Sequence, residues 1–394
     1  MNMVVIGAGL AGLAAARRLH EAGVEVVVLE ARDRVGGRVW SWELDNGEVV
    51  ELGGEWIDSS QTTITDLAAD LGLGLVDTKQ DFISRDLIGG PVIPASDHVD
   101  LADRVMEVLD GLGDRIDEVT MAEVFAATGG TGPAMTVLVS RLTGTFGVPL
   151  DQVGASEMGE EFGMAQGSRY VRIDGGNDRI AQEMAVSLDV RLNTPVTSVG
   201  RASAGAVVNT EEGAMGADAV VVAVPLPVLR APGFLVDPPG HWVGALDGLG
   251  MGTAVKLAVA TREEPPMFRR QEPDIPGWYW TGARSDGATR HAVTGFAGTS
   301  AGVVAMVADA GVRLRAAAPE VVLDGDSIVV DWGADPWAGG CYSAIGPGGS
   351  RWLPALQKPW GRVFLAGEHV NGTGTMAGAL KSGMEAAERL LSSV

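Results

Sequence analysis

The sequence has very little cysteine and comparatively little positive charge. Its 394 residues include one cysteine, Cys341, so an intramolecular disulfide cannot form, and no Cys/His cluster has the spacing of a zinc site. Lys and Arg number 29 against 51 Asp and Glu, which gives a formal net charge of −22. This sign excludes a general basic surface for nucleic acid or anionic membranes. We therefore expect no structural metal, no disulfide framework and no nucleic-acid partner.

Long apolar runs are missing as well. The most apolar stretches, residues 217–229 and 303–307, are too short or too interrupted to span a bilayer. The first residues, MNMVVIGAG, predict a strand at once, without the charged leader and apolar core of a signal peptide. We expect a cytoplasmic protein with no membrane partner.

The residues that are present indicate a globular chain. Hydrophobic residues make up 46% and charged residues 20%, with 56 glycines, which is too apolar a composition for a disordered protein. The length predicts roughly two or three domains.

A glycine motif stands between an N-terminal strand and a helix. Gly7, Gly9 and Gly12 form GxGxxG after a short β-branched run, and a second strand ends at Glu30. In this context the glycines permit a tight turn, close approach of the backbone to a pyrophosphate, and packing of helix on strand. Glu30 can accept hydrogen bonds from ribose hydroxyls and would repel a 2′-phosphate. The pattern predicts FAD or NAD rather than NADP.

Two motifs after Glu30 favour a flavin. ARDRVGGR and then ELGGEW resemble the start of the flavin-containing amine oxidase family, which includes monoamine oxidases, polyamine oxidases and L-amino-acid oxidases. The resemblance implies FAD, with the GGR turn at the flavin and diphosphate and the second motif near the flavin ring. The cofactor-binding residues implied in these motifs are Arg32, Gly36, Gly37, Arg38, Gly53, Gly54, Glu55 and Trp56. A surface charge is the alternative for Arg38.

Later segments extend the resemblance over most of the chain. Val196 is either a contact of the adenine through its backbone or a core valine. Gly367 and Glu368 resemble the acidic turn that holds the ribityl or diphosphate region. Met376 opens the last helix, whose N-terminus would point at the flavin, although a core role is the alternative. Thr375, which precedes Met376, is also predicted to bind the cofactor.

Lys256 is the first candidate catalytic residue. It lies in GMGTAVKLAVA, which alternates like a strand and otherwise contains small and apolar residues. A buried lysine usually faces a polar cavity or has a partner, and the alternative is a solvated strand lysine. The resemblance implies that Lys256 holds a water beside flavin N5 and assists the reaction of reduced flavin with O2.

The segment WAGGCYSAIG contains Cys341 and the second candidate, Tyr342. It is similar to the SGGCY segment of monoamine oxidases. The resemblance implies that Cys341 carries FAD as an 8α-thioether and that Tyr342 forms one wall of an aromatic cage around the amine. The alternative is a small buried cysteine beside a noncovalent flavin.

One departure from the monoamine oxidases concerns substrate recognition. Thr375 stands where those enzymes have the second cage tyrosine, so half of the cage is missing. Trp56 or Trp332 are candidates to complete it. No arginine of the sequence is clearly assigned to a substrate carboxylate, and Arg141 and Arg169 stay open as alternatives.

These observations predict an α/β fold, in which an FAD-binding GxGxxG Rossmann-like domain is interleaved with an α+β substrate-binding domain. We expect residues 1–79, 168–245 and 331–394 to form the FAD-binding domain, and residues 80–167 and 246–330 to form the substrate-binding domain. The pattern of residues 250–330 predicts strands and loops.

The predicted function is an FAD-dependent oxidase that converts an amine to an imine, then an aldehyde or ketone, while O2 becomes hydrogen peroxide. Its partners are a small amine and O2, and a homo-oligomer is compatible with the sequence. The alternatives are a desaturase or oxidase of the same fold that acts on a carbon framework or an amino acid, and a flavin-binding protein without activity.

Overall fold

The computed structural model describes residues 2–80, 85–158 and 169–393. The strands are β1 (Asn2–Ile6), β2 (Glu25–Leu29), β3 (Ser41–Glu43), β4 (Val49–Glu51), β5 (Ile57–Asp58), β6 (Leu75–Asp77), β7 (Asp86–Leu87), β8 (Tyr170–Ile173), β9 (Asp189–Arg191), β10 (Val196–Ala202), β11 (Gly205–Thr210), β12 (Gly213–Ala217), β13 (Ala219–Val222), β14 (Leu235–Val236), β15 (Gly250–Met251), β16 (Ala254–Thr261), β17 (Arg269–Glu272), β18 (Gly277–Trp280), β19 (Ala292–Gly298), β20 (Leu323–Asp331), β21 (Ser343–Ala344) and β22 (Val363–Leu365). The helices are α1 (Leu10–Glu21), α2 (Thr62–Asp70), α3 (Ala95–Leu112), α4 (Met121–Ala127), α5 (Pro133–Phe146), α6 (Arg179–Ala185), α7 (Leu226–Leu229), α8 (Gly240–Gly248), α9 (Ser300–Ala317), α10 (Leu353–Gln357), α11 (Glu368–Asn371) and α12 (Met376–Leu391).

A parallel sheet combines strands from the start, middle and end of the chain. Its order is β22-β13-β1-β2-β9, and all of its pairings are parallel. The central strand β1 and its neighbour β13 are almost entirely buried, as expected for apolar strands of a sheet covered on both faces. This sheet and its helices are the Rossmann-like part of the predicted α/β fold.

Helices α1 and α12 pack closely on this sheet because glycine allows it. A Cβ atom at Gly12 would lie 1.8 Å from the carbonyl oxygen of Gly7, and one at Gly383 would lie 2.0 Å from that of Ala11. Gly12 thus brings α1 against the turn after β1, and Gly383 brings α12 against the start of α1. The N-terminus of α1 and the middle of α12 therefore meet beside the first glycine turn.

The second large sheet has the order β20-β16-β19-β18-β17-β7, and its pairings are antiparallel except that of β7 with β17. Every residue of β16 is buried. Helix α9 packs on this sheet through Val303, Met306, Ala310 and Leu314, which recur at helical spacing. The prediction of strands and loops throughout residues 250–330 is therefore wrong for α9.

Helices α3, α4 and α5 form a separate apolar cluster before β8. Thr120 and Glu123 form a capping box at the start of α4. Among the described residues, the helices are all too short or too polar to cross a membrane. The proposed domain boundaries at residues 80 and 167 adjoin or fall within stretches outside the described ranges, and the division into two domains stays a prediction.

Candidate active site

A cavity of about 390 Å³, within the size range of ligand pockets, is lined by residues of both large sheets. The residues predicted from the sequence that line it are Gly7, Gly9, Glu30, Arg32, Gly36, Gly37, Arg38, Gly53, Gly54, Glu55, Trp56, Val196, Lys256, Cys341, Tyr342, Gly367, Glu368, Thr375 and Met376. Gly12 is not part of the lining, because it lies behind the turn, where it permits the packing of α1. The fold thus brings together predicted residues that lie far apart in the sequence, from Gly7 to Met376.

The first end of the cavity is formed by the β1–α1 turn and the end of β2. Glu30 is buried, and its carboxylate accepts hydrogen bonds from the backbone N–H groups of Ala8, at 2.7 Å, and Arg32, at 2.9 Å. The Arg32 guanidinium is paired with Asp335 at 2.7 Å. A Cβ atom at Gly9 would meet nothing within 4 Å, so the backbone there faces open space at the N-terminus of α1. An anionic group can approach the backbone closely at this point.

A second group of buried polar side chains lies around Glu368 at the start of α11. Its carboxylate accepts hydrogen bonds from Arg38, at 3.0 Å, and from the hydroxyl of Ser343, at 2.6 Å. Burial alone would raise the pKa of Glu368, but Arg38, His369 and Ser343 together hold it below its ordinary value. Arg38 also donates to the carbonyl of Cys341 at 2.6 Å. Arg38 is therefore part of the cavity wall and not a surface charge.

His369 provides a test of whether a polar ligand fits the cavity. It lines the cavity and is 1% exposed, and neither ring nitrogen has a hydrogen-bond partner among the described residues. Burial lowers the pKa of His369 to about 4, so the ring is neutral at pH 7. Unpaired buried nitrogens, open space at Gly9 and a helix N-terminus together fit a large polar ligand such as FAD.

The loop before β5 approaches the start of α12. A Cβ atom at Gly53 would lie 2.1 Å from the carbonyl of Arg38, and one at Gly54 would lie 3.0 Å from the sulfur of Met376. A side chain at Gly53 would collide with the backbone of Arg38, and one at Gly54 would require the Met376 side chain to move. The Thr375 side chain caps α12 by accepting a hydrogen bond from the N–H of Gly378 at 3.0 Å. The glycines and the capped helix end therefore form one compact wall of the cavity.

Lys256 is 4% exposed and points from β16 into the same wall. Its ammonium donates to Glu55 at 2.6 Å and to the carbonyl of Gly53 at 3.0 Å. The sequence alternative of a solvated strand lysine is wrong, because the side chain is buried and paired.

Cys341 and Tyr342 also line the cavity. Burial raises the pKa of the Cys341 thiol to about 12, so the thiol is protonated at pH 7. The Tyr342 hydroxyl donates to the carbonyl of Thr145 on α5. Tyr342 is therefore oriented by a partner from the helical segment.

Tryptophans form an aromatic wall that the sequence analysis largely missed. Trp278 and Trp280 are stacked, with ring centroids 3.9 Å apart, and Trp56 lies 5.5 Å from Trp280. All three line the cavity, as does Trp332. The alternation of GWYW was the available signal, because residues two apart in a strand face the same side.

Polar residues of the cavity include Asp58 and Glu157, which the sequence analysis did not single out, and Arg141, which it did. Asp58 follows Trp56 by two positions, a spacing that places both on one face of the chain if it is extended. Arg169 lies outside the cavity lining, where it is 64% exposed and pairs with Asp77 at 3.0 Å. Of the two arginines considered for a substrate carboxylate, only Arg141 lines the cavity.

Comparison of the whole chain with known proteins identifies the family to which it belongs. Probable polyamine oxidase 4 of Arabidopsis thaliana is 28% identical to this chain over 98% of it and 86% of its own length. Rat flavin-containing amine oxidase B is 25% identical over 100% of this chain and 86% of its own length. Among solved structures, cyclohexylamine oxidase from Brevibacterium oxydans IH-35A has a TM-score of 0.85 at 21% identity, covering 100% of this chain and 99% of its own.

A second solved structure, a putrescine oxidase variant from a structure-based redesign of cofactor binding, has a TM-score of 0.85 at 22% identity, with coverage of 100% of this chain and 99% of its own. At these identities the solved structures show the fold. The sequence profile of the flavin containing amine oxidoreductases matches residues 10–391. The chain belongs to this family, as an amine oxidoreductase whose cofactor is FAD.

Proposed function

We propose that this amine oxidoreductase converts an amine to an imine, with O2 as the electron acceptor and hydrogen peroxide as the product. The observation that carries the proposal is the buried Lys256 ammonium beside Gly53 and Gly54 in the cavity wall. FAD held in the cavity would supply the redox chemistry, as acceptor of a hydride equivalent from the α-carbon of the amine and donor of electrons to O2. A fixed positive charge near this site favours the reduction of O2 because it stabilises the negative charge that develops.

The residues of this chain would hold the cofactor at two ends. Glu30 and the open backbone at Gly9 suit the ribose and diphosphate, and Arg38 with Glu368 lies farther along the cavity. Gly53 and Gly54 leave room for a flat ring. Trp56, Trp278, Trp280 and Tyr342 would exclude water and orient the apolar part of the amine.

The substrate class we propose is an amine that carries a second cationic group. Asp58 and Glu157 are carboxyl groups of the cavity lining, and a carboxylate is the natural partner of an ammonium group. Burial and the nearby Asp117 raise the pKa of Glu157 to about 8, so a cation beside it would favour its ionised form. The relatives named polyamine oxidase and the structural neighbour named putrescine oxidase support this class.

The test is a screen of the FAD-loaded protein for peroxide release, with benzylamine, cyclohexylamine, putrescine, spermidine and L-amino acids. We expect turnover of the diamine and polyamine with the lowest KM. Glu157→Gln should raise the KM for putrescine about tenfold and leave that for benzylamine within about twofold, since one charge-assisted hydrogen bond is lost. The control is Glu211→Gln, at an exposed glutamate outside the cavity lining.

The amino-acid alternative rests on Arg141, which is 4% exposed and lines the cavity. A guanidinium there would suit a substrate carboxylate. Peroxide release with L-amino acids and none with diamines would favour this alternative. Absence of anaerobic flavin bleaching with every amine and amino acid would contradict the proposed oxidation itself.

A further inference from the structure

Glu55 is the centre of a buried charge network in the cavity wall. One of its oxygens accepts the hydrogen bond from Lys256 at 2.6 Å. The other accepts from the indole N–H of Trp280 at 3.3 Å and lies 3.4 Å from a nitrogen of Arg290. The exposed fraction is 1% for the Glu55 side chain, 5% for Lys256 and 3% for Arg290. Glu55 therefore bridges two buried cations that belong to different strands or loops.

The charged groups around this bridge come from several parts of the fold. Burial alone would raise the pKa of Glu55, but Lys256 and Arg290 together hold it below its ordinary value. Arg172 on β8 adds a further positive charge, and burial together with Arg290 lowers its pKa to about 10. Glu51 on β4 is the other nearby carboxyl, and its pKa is raised to about 7, chiefly by burial. Without Glu55, the Lys256 ammonium would share a buried region mainly with like charges.

The geometry also fixes the direction of the Lys256 hydrogen bonds. An ammonium group has three N–H donors. Two are used by Glu55 and by the carbonyl of Gly53, and no described residue accepts the third. Because Lys256 lines the cavity, the remaining donor is available to whatever binds beside Gly53 and Gly54.

We propose that Glu55 is a positioning residue, which by bridging Lys256 and Arg290 keeps the Lys256 side chain charged and directs its free N–H into the cavity. This rests on the proposed function insofar as the charge serves the reaction with O2. It changes the role implied by the family resemblance, in which Glu55 was a contact of the cofactor. If Glu55 had only a structural role, its replacement would lower the stability of the protein, but the reaction with O2 would not depend on the charge of Lys256.

The first experiment measures the charge of Lys256 directly in the FAD-loaded protein. The sequence has four lysines, Lys79, Lys256, Lys358 and Lys381, so ¹³C-lysine labelling gives four side-chain signals, and Lys256→Met assigns the one of interest. We expect the Cε signal of Lys256 to be that of an ammonium group, as its 2.6 Å contact with the Glu55 carboxylate indicates. A neutral amine at Lys256 in the wild-type protein at neutral pH would overturn the proposal without the need for any variant.

The second experiment uses Glu55→Gln, with Glu51→Gln as the matched control. Both replace a fully buried carboxyl by an amide of the same shape, but Glu51 does not hydrogen-bond to Lys256. In Glu55→Gln we expect the Lys256 signal to move toward that of a neutral amine, because the charged partner of the ammonium is lost. Reoxidation of the reduced enzyme should slow about ten- to hundredfold at high pH and recover as the pH falls. Glu51→Gln should change both much less, because Glu51 interacts with Lys256 only through space and not by a hydrogen bond.

The outcomes separate this inference from the proposed function. Anaerobic bleaching of the flavin by an amine tests amine oxidation and does not depend on the charge of Lys256. An unchanged Lys256 signal in Glu55→Gln, or an equal change in Glu51→Gln, would refute the positioning role even if amine oxidation is established. A changed signal with pH-independent reoxidation would equally refute it, because the charge would then have no part in the reaction with O2.

Discussion

At the scale of single residues, several buried charges in the cavity wall have specific partners, which for Arg38 and Lys256 come from distant parts of the chain. Glu30 is held by backbone N–H groups of the first turn, Arg38 by Glu368, and Lys256 by Glu55. Removing one member of such a pair leaves the other uncompensated, which costs about 3–5 kcal/mol in buried pairs. Substitutions in this wall therefore need readouts that distinguish lost folding from lost chemistry.

For Lys256→Met we expect slower reoxidation of the reduced enzyme by O2 and a smaller effect on anaerobic reduction by the amine. The positive charge near the glycines of the cavity wall is lost, whereas the aromatic wall is retained. Stopped-flow absorbance of the two half-reactions measures both effects. If reoxidation is as fast as in the wild type while FAD stays bound, Lys256 has no role in the reaction with O2.

For Glu30→Ala we expect weaker retention of FAD with an unchanged flavin spectrum in the molecules that still bind it. The Glu30 carboxylate lies in the part of the cavity formed by the β1–α1 turn, near the open backbone at Gly9. Loss of a charge-assisted hydrogen bond implies about tenfold weaker binding or more. Fluorescence titration of cofactor-free protein with FAD measures it in a Cys341→Ala background, where no covalent bond forms, and equal affinity with and without Glu30 would contradict the placement of the ribose there.

Glu51 makes a prediction about the pH dependence of stability. Burial raises its pKa to about 7, above the ordinary value near 4.5. Between these pH values the native state keeps a proton that the unfolded state has lost, so its contribution to stability falls as the pH rises. Glu51→Gln removes this titration and can hydrogen-bond to Ser41 and Asn177 in the same places.

The free energy of unfolding of Glu51→Gln relative to the wild type should therefore rise by on the order of 2 kcal/mol from pH 5 to pH 8. Urea unfolding at the two pH values measures this difference. A constant difference would mean that Glu51 has an ordinary pKa in the native protein.

At the scale of secondary-structure elements, the site depends on how closely α1 and α12 approach each other. Gly383 of α12 faces the first turn of α1, and Thr375 caps the end of α12 that borders the cavity. A shift of either helix would move the two N-termini that line the cavity. Packing between these helices therefore affects both stability and cofactor binding.

Gly383→Ala should destabilise the protein by about 1–3 kcal/mol, because its Cβ would lie 2.0 Å from the backbone oxygen of Ala11 and neither helix can give way easily. The control is Gly111→Ala in α3, where a Cβ would meet nothing within 4 Å. That change should stabilise the protein by about 0.5–1 kcal/mol through helix propensity. Thermal unfolding of the two variants should give shifts of opposite sign, and shifts of equal sign would contradict this account of the packing.

The sequence predicts secondary-structure elements and local motifs better than it predicts contacts between distant residues. The β1–α1 glycine turn, the strand that carries Lys256 and the C-terminal helix are all visible in local patterns. The pairing of Lys256 with Glu55 is not, because it joins residues 201 positions apart and depends on the packing of two sheets. Helix α9 was missed because its glycines and valines resemble strand and loop composition.

At the scale of the whole molecule, the cavity connects the two large sheets. Its lining runs from Glu30 at the end of β2 to Lys256 on β16 and Trp280 on β18. A ligand that binds there binds only the assembled native state. Noncovalent FAD present at 100 times its dissociation constant therefore adds about 2.7 kcal/mol to the free energy of unfolding.

The mode of FAD attachment decides whether this stabilisation depends on concentration. Cys341 lines the cavity beside Arg38, and we expect its sulfur to carry FAD covalently, so that the intact mass rises by one FAD and flavin remains with the protein after acid precipitation. Because burial raises the thiol pKa to about 12, attachment to cofactor-free protein should be faster at higher pH.

In Cys341→Ala the flavin should be released by acid, and Tm should rise with added FAD, whereas Tm of the wild type should not depend on free FAD. The noncovalent contacts at Glu30, Arg38 and Glu368 are unchanged in this variant, so it should still bind FAD and oxidise amines more slowly. Intact-mass spectrometry and thermal unfolding over a range of FAD concentrations make the measurement. A wild-type mass equal to that of the bare polypeptide, with Tm rising with added FAD as in Cys341→Ala, would show that Cys341 is only a buried wall residue.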